Sequence, residues 1–194
     1  MRVLSQTNWK VIGNRMRRAM WGILLVAAMT PGCRVDGQAV PVTLELTSPS
    51  FQNGASIPAK FTCSGASISP QLSWSAPPAG TKALALVVTD PDAPSGTFTH
   101  WLLYNISAGT RGLAENLPKQ GQLGDGSLQG RNQHEEIGYA GPCPPNHQQH
   151  RYFFRLYALD AKLSLTPGAE RSEVEAVMKG HILGRGELVG LYRQ

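Results

Sequence analysis

Apolar and polar positions along the chain fall into short runs separated by proline and glycine. Val42-Thr43-Leu44-Glu45-Leu46 alternates, the signature of a strand with one buried face. Leu72-Ser73-Trp74 lies between Pro70 and Pro77, and Ala83 to Thr89 is a mostly apolar run that stops at Asp90-Pro91. Phe98 to Ile106, Tyr152 to Leu159 and a closing segment, Glu187 to Tyr192, predict three further strands. Short strands with breakers between them predict a mostly β fold of the two-sheet sandwich kind. One helix is expected in the C-terminal half. Ser172-Glu173-Val174-Glu175 has the form of a capping box, and Val174, Val177, Met178 and His181 follow at helical spacing, which places His181 on the packed stripe. Gly180 or Gly184 ends the element. The polar, Gly- and Gln-rich stretch from Lys119 to Glu136 reads as a long loop, either the rim of a site or disordered.

At 194 residues the chain suits one domain with a tail. Arg17 and Arg18 precede an apolar stretch from Ala19 to Met29, which is shorter than the roughly 20 residues of a membrane span and fits a secretory h-region. Residues 1–33 are therefore expected to be an export segment, 34–41 a short linker and 42–193 the folded domain. Gly32-Cys33 resembles a lipoprotein box, with Cys33 lipidated and tethering the protein to a membrane. Cleavage after Ala39 is the alternative exit. Either way the protein is expected in the cell envelope, periplasmic or anchored as a lipoprotein.

Charge narrows the partners. There are 18 Lys and Arg against 13 Asp and Glu, a formal net charge of +5, but residues 1–33 hold Arg2, Lys10, Arg15, Arg17 and Arg18 and no acid. Without those five the balance is neutral, so the domain lacks the basic footprint that nucleic acid requires.

Candidate chemistry lies at the strand ends. In Asp90-Pro91-Asp92-Ala93-Pro94 the prolines stiffen a corner from which two carboxylates project; a plain β-turn or a weak D-x-D metal site would use the same residues. His100 comes early in a strand. His147 and His150 have H-x-x-H spacing, yet no helix aligns them and a zinc ion would need a third ligand, so no metal is assigned. Pro142-Cys143-Pro144-Pro145 is a rigid turn whose Cys143 and Asn146 can offer backbone NH groups to an anion. Neither a G-x-S-x-G elbow nor a phosphate loop of the G-x-x-x-x-G-K-[ST] type occurs. Cys63 and Cys143 both lie in loops where a disulfide is sterically possible, and an oxidising compartment favours it; two separate buried thiols are the other reading.

Taken in chain order, Phe61-Thr62-Cys63-Ser64-Gly65 with Ile68-Ser69-Pro70 and Leu72-Ser73-Trp74, then DPDAP, Thr99-His100-Trp101, and Gly138 through His150-Arg151-Tyr152 resemble the phosphatidylethanolamine-binding protein (PEBP) family. Within it they are similar to the bacterial Raf-kinase-inhibitor-like (YbhB/YbcL) branch. The resemblance covers about residues 42–193. It implies a two-sheet β fold with a small anion-binding pocket at one end, lined by Asp90, Pro94, His100, His150 and Tyr152, with Gly141 to Pro144, including Cys143, as one wall and Asp92 just behind. On residue chemistry, the Asp90 carboxylate is expected to favour protonated forms of both imidazoles. The reading is a non-enzymatic binding protein for a phosphate-like anion or phospholipid head group, with no cofactor. An inhibitor docking a protein partner through the pocket rim, and a hydrolase using Asp90 and a histidine as base, are its rivals.

Overall fold

The computed structural model describes residues 41–194. The export segment 1–33 with Cys33, the linker to residue 40 and the cleavage point at Ala39 lie outside the described residues. Among the described residues nine strands form two sheets: β1 (Val42–Thr43), β2 (Leu46–Thr47), β3 (Leu72–Trp74), β4 (Ala83–Asp90), β5 (Phe98–Ser107), β6 (Gly112–Leu113), β7 (Leu128–Gln129), β8 (His150–Leu159) and β9 (Ile182–Tyr192). The large sheet runs β1-β9-β8-β4-β5-β7 and the small one β2-β3-β6. A single α-helix among the described residues, α1 (Arg171–Met178), completes the fold.

All eight residues of β4 are buried. Leu84, Leu86 and Val88 pack with Trp101, Leu103, Phe154 and Leu156 toward Leu72 and Trp74 of the small sheet. Ala85 and Val87 on the opposite face pack with Leu102, Tyr104 and Leu159 against Leu163, Val174 and Met178. A strand covered on both faces carries no alternation, which is why Ala83 to Val88 reads as one apolar run. Each fully buried large apolar side chain here contributes about 1.5–3 kcal/mol. β8 alternates instead, with Tyr152, Phe154 and Leu156 buried and Arg151 exposed between them and the turn.

Three expectations need correction, and the choice left open for the Lys119 to Glu136 loop is resolved. The stretch Val42 to Leu46 is two strands: Val42 pairs in parallel with Gly184 of β9, whereas Leu46 pairs with Trp74 in the other sheet. Its alternation reflects burial of Leu44 and Leu46 while the chain crosses between sheets. The crossing lies so close on β9 that a Cβ at Gly186 would stand 2.6 Å from the Leu44 carbonyl oxygen, and such glycines hid the first half of β9 from the pattern. The helix starts one residue before Ser172, and the capping box is Glu170 with Glu173, whose carboxylate accepts the Glu170 NH at 2.8 Å. Pairing of Gly168 and Ala169 with Gln129 and Arg131 fixes where the helix begins, so Ser172 lies inside the first turn. His181 is not a core residue. The helix ends at Met178, the chain reverses at Gly180 (φ 87°), and the exposed imidazole bonds the Asp160 carboxylate at 2.7 Å. Lys119 to Glu136 is an ordered loop containing β7, pinned by Gln129, whose side chain accepts from Trp101 Nε1 at 2.7 Å and donates to Pro118 and Gln120.

Candidate functional site

Three neighbouring strands of the large sheet present their ends at one edge. β4 closes with Asp90, β8 opens with His150, and β5 brings His100 two residues after its start. Antiparallel pairing of β4 with both partners puts these ends side by side. A bulge aims His100. Val88 pairs with Trp101 and Thr89 with Thr99, so His100 is the extra residue. Plain alternation would give it the helix-facing side of Leu102; the extra residue sets its ring 5.1 Å from Tyr152, edge-on, on the other side of the sheet.

Around these residues lies a cavity of about 310 Å³, bounded by Asp90, Pro94, His100, Cys143 and His150 together with Phe98, Ser95, His134 and Pro145. The floor is polar and the rim largely proline and phenylalanine. Asp90 and His150 are 3 % exposed each, and Asp90 Oδ2 accepts the His150 Nδ1–H at 2.7 Å while Oδ1 accepts the Asp92 NH at 2.8 Å. The pair fixes the tautomer and leaves His150 Nε2 for another partner.

His100 behaves differently from the expectation of a protonated ring. Its Nδ1–H donates to the Ala140 carbonyl at 2.8 Å, and burial pushes its pKa from 6.5 to about 4. Desolvation outweighs both that hydrogen bond and the attraction of Asp90, so His100 is neutral at pH 7 and its Nε2 is a bare lone pair.

Tyr152, expected to line the cavity, does not, and Asp92 stands behind it as expected. Asp92 turns outward to Arg151, which bonds it through the backbone NH (2.9 Å), Nε (2.9 Å) and Nη2 (2.6 Å). This bidentate pair holds the Asp92 carboxyl at about 2 and makes it a brace of the Pro-rich corner. Tyr152 lies beneath the floor. It is 1 % exposed, its hydroxyl has no hydrogen-bond partner, and burial with the nearby Asp90 carboxylate pushes its pKa up. The H-x-x-H pair is split, since His147 donates outward to the Gln194 main-chain oxygen at 2.8 Å.

The wall opposite the corner is the Pro-locked turn. Cys143 is bonded to Cys63 across 80 residues, and the Cys63 NH donates to the Pro142 carbonyl at 3.0 Å. Close approach there requires glycine: a Cβ on Gly141 would meet Ser67 Oγ at 2.6 Å and the Phe61 carbonyl oxygen at 2.8 Å. A second hollow, about 240 Å³ at the first turn of the helix, is lined by charges that are already paired, Arg131 with Glu135 and Arg171 with Glu175.

A family profile described as phosphatidylethanolamine-binding protein matches residues 47–193. The chain belongs to the phosphatidylethanolamine-binding protein family. A UPF0098 protein of Methanothermobacter thermautotrophicus is 50% identical over 151 residues, which span 78% of this chain and 99% of that protein. Another from Aquifex aeolicus is 48% identical over 153 residues, 78% of this chain and 89% of that one. Among solved structures, the putative PEBP homologue CT736 of Chlamydia trachomatis has a TM-score of 0.72 at 41% identity, with 78% of this chain and 98% of that chain covered. E. coli YbcL, described as a new member of the mammalian PEBP family, has a TM-score of 0.73 at 29% identity and the same coverage.

Three residues of this PEBP domain escaped the sequence reading. Arg151, the partner of Asp92, is legible afterwards in the alternation of β8, which must turn it away from its neighbours His150 and Tyr152. Phe98, whose ring centroid is 4.8 Å from that of His100, looked like an ordinary strand start. His134 has no periodic signal at all; it reaches the cavity because the Asn132 side chain accepts its NH at 2.9 Å within the ordered loop.

Proposed function

We propose that the protein is an exported, non-enzymatic binding protein of the cell envelope whose pocket takes a phosphate-like anion, free or as a phospholipid head group. The observation that carries this reading is the buried Asp90–His150 pair at the cavity floor. Asp90 occupies Nδ1, so a protonated His150 turns its remaining N–H, at Nε2, to a ligand, and a charge-assisted hydrogen bond in a water-poor site is among the stronger single contacts available. The NH of Cys143, unpaired among the described residues, is a second donor on the rigid wall. The family description, which names phosphatidylethanolamine, agrees with such a ligand. Export accords with the Cys63–Cys143 disulfide, because such bonds persist in oxidising compartments, and with the basic-then-apolar order of residues 17–29.

Calorimetric titration of inorganic phosphate and glycerophosphoethanolamine into wild type, His150→Ala and His150→Gln tests the reading. Loss of the charged donor is expected to cost roughly 1.5–3 kcal/mol of binding. Because His150→Ala leaves the Asp90 carboxylate buried without its partner, near-UV circular dichroism must show that each variant is folded. Equal affinity in wild type and a folded variant would overturn the proposal.

A further inference from the structure

The end of the large sheet opposite the pocket gathers cations that the fold leaves without partners. Lys82 stands just before β4, Lys162 three residues after β8 and Lys179 three before β9, so the antiparallel pairing brings all three to one pole. Backbone bonds hold these segments together: the Lys82 NH donates to the Leu159 carbonyl at 2.7 Å and the Asp160 NH to the His181 carbonyl at 3.0 Å. The three lysines are exposed, as is Arg185 nearby on β9. Asp160, the carboxylate among them, is taken by His181, whose Nδ1–H it accepts at 2.7 Å. Elsewhere Lys60, Lys119, Arg131, Arg151, Arg155 and Arg171 are each paired with a carboxylate, whereas Lys82, Lys162, Lys179 and Arg185 form no ion pair among the described residues. The domain as a whole is neutral, so the patch is charge separated across the molecule and not an excess of it.

The chain enters the domain at this same pole. β1 pairs in parallel with β9, Val42 beside Gly184, and Val42, 51 % exposed, is the exposed large apolar side chain of the described residues. The pocket is at the far end of the strands, where His150 is opposite Tyr192. From Gly184 to Tyr192 is about 26 Å at about 3.3 Å per residue, so the pocket takes no part in a contact made here. We propose that the basic pole docks on an anionic phospholipid surface. A lysine carries a compact charge on a flexible stem, which follows a shifting layer of phosphates and lays its methylenes against apolar surface. Each lysine near such a surface strengthens attachment by about fivefold. A bilayer, and not an acidic protein, is the surface at hand: Cys33, where the export reading puts a lipid anchor, is nine residues before Val42. The inference rests on that reading for its partner. The anchor brings the domain to the membrane, and the patch decides which face it presents.

The test uses the chain from Val40, the form that cleavage after Ala39 would release, at about 0.1 M salt, where charges beyond about 10 Å are screened. It folds without the export segment, because relatives consist of little else: the match covers 99% of the Methanothermobacter thermautotrophicus protein and 98% of the CT736 chain. This form is also neutral overall, which removes net charge as a cause of binding. Co-sedimentation compares vesicles of phosphatidylcholine alone with vesicles in which about half is replaced by phosphatidylglycerol. Wild type is expected to partition to the anionic vesicles and not to the neutral ones. Lys82→Gln, Lys162→Gln and Lys179→Gln together are expected to weaken that partitioning at least about tenfold. Lys60→Gln, Lys119→Gln and Arg193→Gln together make the same change in net charge elsewhere and are expected to weaken it less than about threefold. Near-UV circular dichroism shows that both variants are folded. Equal losses in the two would overturn the docking face, and no preference of wild type for anionic vesicles would overturn the membrane and point to an acidic protein. Neither result touches the export reading, which the mass of the exported protein decides separately.

Discussion

Acid should unfold this protein in part through His100. Burial holds its pKa at about 4 rather than 6.5, so between those values the unfolded chain takes up a proton that the native state refuses. Stability then rises with pH across this window: the contribution is complete above about 6.5 and drains away as pH falls toward about 4. Each pKa unit is worth about 1.4 kcal/mol, so acidification from neutral to about pH 5 should remove about 2 kcal/mol, and to about pH 4 about 3 kcal/mol. These are sizeable fractions of the total stability of a domain. The other depressed group acts elsewhere, since Asp92 with Arg151 moves from 3.8 to about 2 and loses its contribution only at lower pH. Urea unfolding followed by tryptophan fluorescence, with the fully buried Trp101 as a reporter, measures the effect at several pH values in wild type and His100→Gln. The pH slope, not the starting stability of the variant, is the readout. Its slope should be shallower by the stated amount, and identical slopes would refute the assignment of a neutral, desolvated imidazole.

Two further predictions follow from covalent features. Reduction of the Cys63–Cys143 bond, which closes a span of 80 residues, should cost about 4.5 kcal/mol in the chain-entropy estimate and lower the urea midpoint accordingly; an unchanged midpoint would reject a structural role for the bridge. Intact-mass analysis of the exported protein should find a chain beginning at a lipidated Cys33 or at Val40, and a mass retaining residues 1–33 would reject the export reading.

The sequence was most legible where periodicity reports burial directly. The runs that became β3, β4, β5 and β8 stand close to where pattern placed them, because breakers bound each run and its apolar content must go inside. Asp90, His100 and His150 could be grouped because they sit at strand ends in an order that resembles the PEBP family. What pattern could not show is what a single extra residue does. The bulge at His100 changes which face of β5 that ring occupies, and nothing in Thr99-His100-Trp101 announces it. The crossing of Val42 to Leu46 between sheets is hidden for a related reason: inward-facing leucines alternate whether or not their backbone pairs on one side. His181 misled because helical spacing was extended past Met178, beyond the residue at which the backbone reverses. The protonation state of His100 was misjudged because a neighbouring carboxylate is visible in the sequence and the depth of burial is not.

The three strand ends that build the floor also tie the proposed site to folding. Asp90 and His100 come from a hairpin and are close in sequence, but His150 lies 60 residues from Asp90. The donor of the proposed site is therefore in place only after β8 has inserted beside β4, a non-local step whose loop-closure cost must be met before its contacts form. An unfolded or half-assembled chain holds no site. A ligand that occupies the pocket thus binds the native state alone and adds RT ln(1 + [L]/Kd) to its stability, about 2.7 kcal/mol when its concentration is about a hundred times Kd. The abundance of such a ligand around the protein would then set how long the folded chain survives there.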